Sequence, residues 1–331
     1  MQDHDVVGIG NAIVDIIGRC DDAFLTRFGR TKASMELVDA ATVAKLYDAM
    51  GPGIEISGGS AANTIAGVAS FGGKAGYMGK VADDQFGQVF RHDIRAIGVT
   101  FNTAPAARGS EPTARSLILV TPDGQRTMNT FLGVSTSLSG ADVDTELVQS
   151  GRILYLEGYL FDRPEAKAAF REAARIAAKA GRQVALTLSD PFCVDRHRPE
   201  FRMLVKEQVD ILFANEAEAM SLYQTSDFDA AARLAQSETK LAALTRSEKG
   251  SVILSADKTI PIPAAPVAQV VDTTGAGDLY AAGFLFGIAK GKDLETAGRL
   301  GSLAAAEIIS HIGARPQVSL AELARKQGLL S

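Results

Sequence analysis

The chain has 331 residues, and with 46% hydrophobic and 22% charged residues its composition is that of an ordinary globular protein. This length allows one large domain with a smaller accessory part. The net charge of −5 argues against nucleic acid or an anionic membrane as the main partner. The two cysteines do not make a disulfide framework, and the four histidines show no zinc-ligand spacing.

The sequence shows no targeting or membrane-spanning segment. The first residues lack the basic and apolar regions of a secretory signal, and no stretch approaches the roughly 18 apolar residues of a membrane span. Because cysteines are also few, we expect a cytoplasmic protein in a reducing setting.

The predicted elements begin with one strand from Asp5 to Asp15. A helix follows over residues 60–71, for which Ser60 is a suitable N-cap. Beyond residue 150 strands and helices alternate, with strands at 152–156, 183–188, 209–214, 241–245 and 251–255 and helices at 163–180, 199–206, 216–223, 275–290 and 294–312. This order predicts an α/β fold with a mainly parallel central sheet and helices on both faces.

Two stretches, 16–38 and 102–137, have the pattern of strands and turns with mixed polarity. The second contains Asp123-Gly124 between two extended runs, which is a hairpin signal. We interpret the two stretches as one small, discontinuous β lid. Residues 1–15, 39–101 and 138–331 would then form the α/β nucleotide- and substrate-binding domain.

The strongest motif is Val271–Asp278, which precedes an apolar helical pattern. Gly275, Ala276 and Gly277 would expose backbone N–H groups at a helix N-terminus, where the helix dipole favours a phosphate. Asp278 could simply complement that dipole. Beside a phosphate, however, a carboxylate is unfavourable unless it has a role, and accepting a proton from an attacking hydroxyl is such a role.

A second glycine pair precedes the helix at residue 60, in the run Ser57-Gly58-Gly59-Ser60-Ala61-Ala62-Asn63. A turn with an N-cap explains this run, and so does a backbone that touches a ligand. Asn11 and Asp15 could bind sugar hydroxyls, since a carboxylate accepts two adjacent hydroxyls well. On a straight strand these two residues lie about 13 Å apart, so reaching one sugar needs a bend in the chain between them.

Asn215 and Glu218 stand at the junction of a predicted strand and helix. They fit a capping box, and they equally fit a pair that holds magnesium-bound water; the two readings can coexist. Two common nucleotide motifs fail. Gly8-Ile9-Gly10 lacks the third glycine and the following helix of a dinucleotide site, and no run matches the Walker A pattern.

In this order, the motifs resemble those of the ribokinase-like (PfkB) carbohydrate kinases, and the resemblance covers nearly the whole chain. Gly-Gly-x-x-x-Asn near residue 60 and Asp-Thr-Thr-Gly-Ala-Gly-Asp near residue 275 match the two signatures of that family. Within it, the chain is most similar to the branch that acts on adenosine, also in the segment 304–314. The resemblance implies ATP-dependent phosphorylation of a ribose 5′-hydroxyl.

By the same resemblance, Asp278 is the general base, and Gly275, Ala276 and Gly277 form the anion hole. The residues that would contact the nucleoside are Asn11, Asp15, Gly59, Ser60, Asn63, Arg126, Asn129, Tyr159 and Phe161. Of these, Tyr159 and Phe161 could stack on the base, although an aromatic after a strand is more often in the core.

The ATP side would include Asn215, Thr245, Ser247, Gly250, Thr274, Gly275, Gly277, Ile308 and His311. Ser247 stands where the Thr-x-Gly-x-x-Gly loop of the family has its first glycine. Asn215 and Glu218 match the family's magnesium-associated Asn-x-x-Glu. Asp272 and Thr274 resemble its monovalent-cation loop, which leaves a potassium requirement open.

Other functions fit the same residues. The substrate could be another nucleoside, such as inosine or guanosine, or a free sugar, because ribose-binding residues serve both kinds of kinase. A catalytically silent nucleoside sensor is a third reading, against which the complete Asp278 motif counts. The expected partners are a nucleoside and ATP, without nucleic acid or membrane, and either a monomer or a homodimer is compatible with the sequence.

Overall fold

In a computed structural model, which describes residues 3–331, the described chain forms thirteen strands and twelve α-helices. The strands are β1 (His4–Ile9), β2 (Ile13–Arg19), β3 (Met35–Leu37), β4 (Gly53–Gly58), β5 (Ala75–Met78), β6 (Ala114–Val120), β7 (Arg126–Phe131), β8 (Gly151–Glu157), β9 (Gln183–Thr187), β10 (Ile211–Asn215), β11 (Leu241–Thr245), β12 (Ser251–Ser255) and β13 (Thr259–Ile262). The helices are α1 (Asp22–Arg27), α2 (Ala40–Ala49), α3 (Ser60–Ser70), α4 (Gln85–Ala96), α5 (Thr145–Ser150), α6 (Pro164–Lys179), α7 (Pro191–Glu207), α8 (Glu216–Tyr223), α9 (Phe228–Glu238), α10 (Ala276–Ala289), α11 (Leu294–Ile308) and α12 (Leu320–Lys326).

The larger sheet has the order β13-β12-β11-β10-β9-β8-β1-β5 within the described residues. It is parallel from β5 to β11, and β12 and β13 add an antiparallel edge. Successive side chains of a strand point to opposite faces, so Val6 and Val7 enter two different apolar clusters. Helices α3, α10 and α11 cover one face, and α6, α7 and α9 cover the other. The predicted parallel sheet with helices on both faces is therefore correct.

The smaller sheet has the order β3-β7-β6-β2-β4. One of its faces packs on α2 and α4, where Tyr47 donates a hydrogen bond of 2.8 Å to Glu55. The predicted hairpin at Asp123-Gly124 joins β6 to β7, and Gly124 has the positive φ of +80° that such a turn requires.

The predicted single strand from Asp5 to Asp15 is wrong, because the chain leaves the larger sheet after Ile9 and enters the smaller one at Ile13. Strand β4 also lies in the smaller sheet, although we predicted residues 39–101 for the α/β domain. The smaller sheet therefore extends beyond 16–38 and 102–137, and its motion as a lid stays a prediction.

The helices differ from the prediction mainly in three respects. Gly59, not Ser60, is the N-cap of α3, with a φ of +97° that favours glycine. Helix α7 begins at Pro191 and continues through a kink at His197, two residues before Pro199. Helix α11 ends at Ile308, four residues early. No helix in the described part of the chain is long and apolar enough to cross a membrane.

Candidate active site

The parallel strands β1, β8, β9 and β10 end at one edge of the larger sheet, where the N-termini of α3 and α10 and the smaller sheet also meet. Ligands of open α/β sheets bind at this edge. Most of the polar residues selected from the sequence lie here, and the edge is therefore the candidate active site.

Asp278 joins the two glycine motifs. Ser60 Oγ donates to its Oδ1 at 2.7 Å, and Asn63 Nδ2 donates to its Oδ2 at 3.0 Å. Thr64 Oγ1 donates to its main-chain oxygen at 3.0 Å. Burial raises the pKa of Asp278, while the hydrogen bonds from Asn63 and Ser60 and the charge of Arg315 lower it. The carboxylate is thereby held in one orientation with an increased affinity for a proton.

The first turn of α10 is open. Gly275 caps the helix with a φ of +79°, and the first N–H groups of a helix have no acceptor within it. Of these groups, Ala276 N donates to Thr273 O, just before the helix, at 3.2 Å. A Cβ on Gly277 would find no atom within 4 Å, so the space above this turn is free. The turn can therefore accept a phosphate, as the motif predicts.

Asp15 lies on the site-facing side of the smaller sheet. It pairs with Ser116, which pairs with Thr130, and paired residues share a face. A Cβ on Gly58 would stand 2.3 Å from Asp15 Oδ2, so a side chain there would displace that carboxylate. Burial raises the pKa of Asp15 to about 7, Arg315 opposes this, and Asp278 adds to it. A bend between Asn11 and Asp15 is needed for both to reach one sugar. In the structure, the chain passes there from the larger sheet to the smaller one.

Glu157, at the end of β8, is a site residue that no motif indicated. It is buried, and its carboxylate accepts from the backbone N and Nδ2 of Asn11, at 3.2 and 2.7 Å, and from the backbone N of Ala61 at 2.9 Å. Burial raises its pKa to about 7. Glu157 thus ties the link between β1 and β2 to the first turn of α3. The sequence predicts that Asn11 binds the sugar. In the structure, its Nδ2 donates to the carboxylate of Glu157.

Arg126 and Asn129 both lie on β7 but point to opposite faces of the smaller sheet, and only Arg126 lies on the face of Asp15. Arg126 forms an ion pair with the buried Asp272, and donates to Val271 O at 3.1 Å and to Thr274 Oγ1 at 3.3 Å. Asn129 is fully buried and pairs with Leu117 on the face that packs on α2. The expectation that Asn129 reaches a substrate is wrong because side chains alternate along a strand.

The two aromatic candidates differ from each other. Phe161 is 1% exposed and stacks on Phe201 with ring centroids 4.6 Å apart, so it belongs to the core and cannot stack on a base. Tyr159 is half-buried, and its backbone N–H is 3.2 Å from Ser189 Oγ. Burial raises the pKa of Tyr159, and neighbouring Asp190 adds to the rise.

On the predicted ATP side, Thr245 ends β11, opposite Ser251. Ser247 has a φ of +52°, the left-handed conformation for which the family pattern uses glycine. Gly250 also has a positive φ, and a Cβ there would stand 2.1 Å from Ile262 O. Ser247 therefore adopts the left-handed backbone conformation that glycine favours.

Of the two predicted ATP-side residues around the C-terminus of α11, one is buried and the other is partly accessible. Ile308 is fully buried in the core, so the expectation that its side chain borders ATP is wrong. His311 is half-buried, with its Nε2 3.0 Å from Glu307 Oε1.

Asn215 and Glu218 form a complete capping box at α8: Asn215 N and Nδ2 donate to Glu218 at 2.9 and 2.6 Å, and Glu218 N donates back at 2.8 Å. Burial raises the pKa of Glu218 to about 7, and the charges of Asp190 and Asp278 add to the rise. Among the described residues, no group of three or more His, Cys, Asp or Glu side chains could hold a metal ion directly.

Comparison with known proteins agrees with this architecture. Residues 55–320 match the pfkB family carbohydrate kinases, so the chain belongs to this family of alcohol-accepting phosphotransferases, which use ATP, typically with Mg²⁺. The fold is ribokinase-like, as the sequence motifs implied.

Three proteins illustrate the similarity. The structure of an adenosine kinase from Sinorhizobium meliloti is 56% identical, with a TM-score of 0.90 over 98% of this chain and 99% of that one. A probable sugar kinase from Rhizobium etli is 52% identical, with a TM-score of 0.92 over 100% of both chains. The adenosine kinase of Saccharomyces cerevisiae is 25% identical over 93% of this chain and 95% of its own.

Proposed function

We propose that the protein is an adenosine kinase, which transfers the γ-phosphoryl group of ATP to the 5′-hydroxyl of adenosine. The observation that carries the proposal is the position of Asp278, held by Ser60 and Asn63 beside the open first turn of α10. A proton acceptor and an anion site in contact are what this reaction needs. The similarity to two adenosine kinases supports the choice of substrate.

In the proposed reaction, Asp278 accepts the proton of the 5′-hydroxyl while the hydroxyl oxygen bonds to the γ-phosphorus. The bond from that phosphorus to the β–γ bridging oxygen breaks, and ADP leaves. The N–H groups of Gly275, Ala276 and Gly277 stabilise the charge of the transferred group. The raised pKa of Asp278 assists, because a carboxylate with greater proton affinity is a better base near neutral pH.

Asp15 and Asn63 would hold the ribose. Asn63 Oδ1 is buried without a hydrogen-bond partner, and a ribose hydroxyl would supply the missing donor. Asp15 faces the same region and can accept from two adjacent hydroxyls. The smaller sheet would close over the sugar and exclude water, which prevents loss of ATP by hydrolysis.

Magnesium, when bound with ATP, would neutralise charge on the phosphate oxygens. Glu218 and Asn215 fit contact with it through water, since Glu218 is a buried carboxylate near Asp190 and Asp278 that a nearby cation would stabilise. A monovalent cation is not part of the proposal. Asp272 already accepts from the N–H groups of Thr274 and Gly313 and pairs with Arg126.

The test is a substrate panel of adenosine, inosine, guanosine, ribose and fructose 6-phosphate with radiolabelled ATP. We expect labelled AMP from adenosine with the highest kcat/KM. The 52% identity to a probable sugar kinase makes a free sugar the second candidate, and preferential labelling of ribose or fructose 6-phosphate would establish it instead. Tight adenosine binding without ADP formation would indicate a sensor.

A further inference from the structure

Arg315 lies beyond α11, and no motif indicated it. Its side chain reaches the turn between β4 and α3, where Nε donates to Ser57 O at 2.6 Å and Nη2 donates to Ser57 Oγ at 3.0 Å. Nη1 donates to Ala62 O in the first turn of α3. One planar guanidinium therefore spans the turn that presents Ser60 and Asn63 to Asp278.

The backbone beside Arg315 is attached to the other half of the site. Gly313 N donates to Asp272 Oδ2 at 3.0 Å, just before the anion-binding turn. Ala314 is buried against Gly275, where a Cβ on the glycine would stand 2.9 Å from that of Ala314. Arg315 thus links the N-terminus of α10 to that of α3.

The titratable groups around Arg315 come from four elements, and Tyr77 is neutral at physiological pH because burial raises its pKa. Asp15 on β2, Asp93 on α4, Tyr77 on β5 and Asp278 on α10 all raise its pKa, but burial outweighs them and lowers it to about 10. In return, its charge lowers the pKa of Asp15 and of Asp278. The carboxylates of Glu157 and Glu218 add further negative charge near Asp278. Removing this cation would leave the cluster of carboxylates unbalanced.

We propose that Arg315 is a positioning residue for phosphoryl transfer, which orients the Ser57–Ala62 turn and favours the ionised forms of Asp15 and Asp278. This role rests on the proposed function. An arginine suits it better than a lysine, because the planar fork donates to several acceptors at once whereas an ammonium supplies only a point charge.

The first experiment needs no substrate. In the free protein labelled with ¹³C at aspartate carboxyls, the titration midpoints of Asp15 and Asp278 are followed by NMR, with Asp15→Asn and Asp278→Asn for assignment. We expect Arg315→Met to raise both midpoints by about one pH unit or more, since the lost opposite charge favoured ionisation. Arg315→Lys should keep them near the wild-type values. Unchanged midpoints in Arg315→Met would overturn the electrostatic part of the role.

The second experiment measures kcat and KM for adenosine against pH. Arg315→Met should shift the acid limb of kcat/KM upward and lower kcat about 100-fold, as expected for a displaced catalytic group. Arg315→Lys should restore the limb but not the full kcat. If Arg315→Met does not fold, Arg315→Gln, which is neutral and can still donate to one carbonyl, replaces it in both experiments.

Arg202→Met is the matched control, because Arg202 pairs with Glu238 and lies over the ring of Tyr223 away from the site residues. It should lower thermal stability without moving the acid limb. A purely structural Arg315 would behave in the same way, and that result would overturn the proposal. If the wild type forms no AMP, the proposed function fails, while the carboxyl titration still decides the role of Arg315.

Discussion

The glycine-rich N-termini of α3 and α10 differ in how much space surrounds their glycines. At the start of α3 the protein itself fills the space: a Cβ on Gly59 would stand 2.2 Å from Asn11 O. At the start of α10, a Cβ on Gly277 would meet nothing within 4 Å. Glycine is therefore required at α3 by internal packing, whereas at α10 it leaves N–H groups accessible to a ligand. The same residue type marks a structural constraint in one place and a binding surface in the other.

Substitution of Asp278, whose side chain connects the first turns of α3 and α10, should have the largest effect on activity. Asp278→Asn removes the proton acceptor but preserves the size of the side chain, so we expect kcat to fall about 1,000-fold or more. Adenosine affinity, measured by calorimetry, should stay within about threefold of wild type. Near-normal turnover would refute the role of Asp278 as the base.

Gly59→Ala tests the N-terminus of α3, where the protein itself fills the space beside the glycine. Because of the contact with Asn11 O and the φ of +97°, we expect the free energy of unfolding to fall by about 2–3 kcal/mol in urea titrations. Gly72→Ala is the matched control at the other end of α3, with a φ of +83° but open space around the Cβ, and it should cost less. Equal losses would mean that backbone strain alone, and not the contact, requires glycine at residue 59.

Gly277→Ala tests the N-terminus of α10, where the space beside the glycine is open. No atom lies near the added methyl group, so the stability of the protein should be unchanged or slightly higher, as alanine favours helix over glycine. The methyl group would, however, obstruct the approach of a phosphate, and we expect kcat/KM for ATP to fall about tenfold, or about 1.4 kcal/mol. Wild-type kinetics would show that the phosphate does not approach this turn.

The smallest effect is expected for Asp15, whose carboxylate lies beside Gly58 just before α3, and it concerns the pH dependence of stability. Burial raises the pKa of Asp15 from 3.8 to about 7, so the folded protein retains a proton that the unfolded chain releases. The free energy of unfolding therefore falls as pH rises between about 4 and 7. Asp15→Asn removes this titration and should reduce the fall by about 1 kcal/mol or more, measured by urea unfolding at pH 4.5 and 8.

The exposed Asp48→Asn on α2 serves as the control and should leave the pH dependence as in wild type. Glu157 and Glu218 also have raised pKa values and should keep part of the decline in every variant. An Asp15→Asn profile that matches wild type would mean that Asp15 is ionised in the folded protein.

Much of the larger sheet could be predicted from the sequence, because each buried strand and amphipathic helix carries its own local pattern. The limits are clear on β7. Asn129 and Thr130 are adjacent, yet only Thr130 shares a face with Asp15, and the register of three strands decides which one. The prediction that Phe161 stacks on a base is wrong for a similar reason. An aromatic residue after a strand enters either the core or a cleft, and the helices that pack on it decide which.

Sequence alone determined the alternation of strands and helices, the two glycine motifs and the choice of Asp278, because these depend on neighbouring residues. Only the tertiary structure decided the passage from one sheet to the other at residues 10–12, the buried bridge of Glu157 and the contact of Arg315 with the turn before α3. These contacts join residues that are from 96 to 258 positions apart. A single buried charge leaves no periodic pattern in the chain, and its partners are defined only when packing removes it from water.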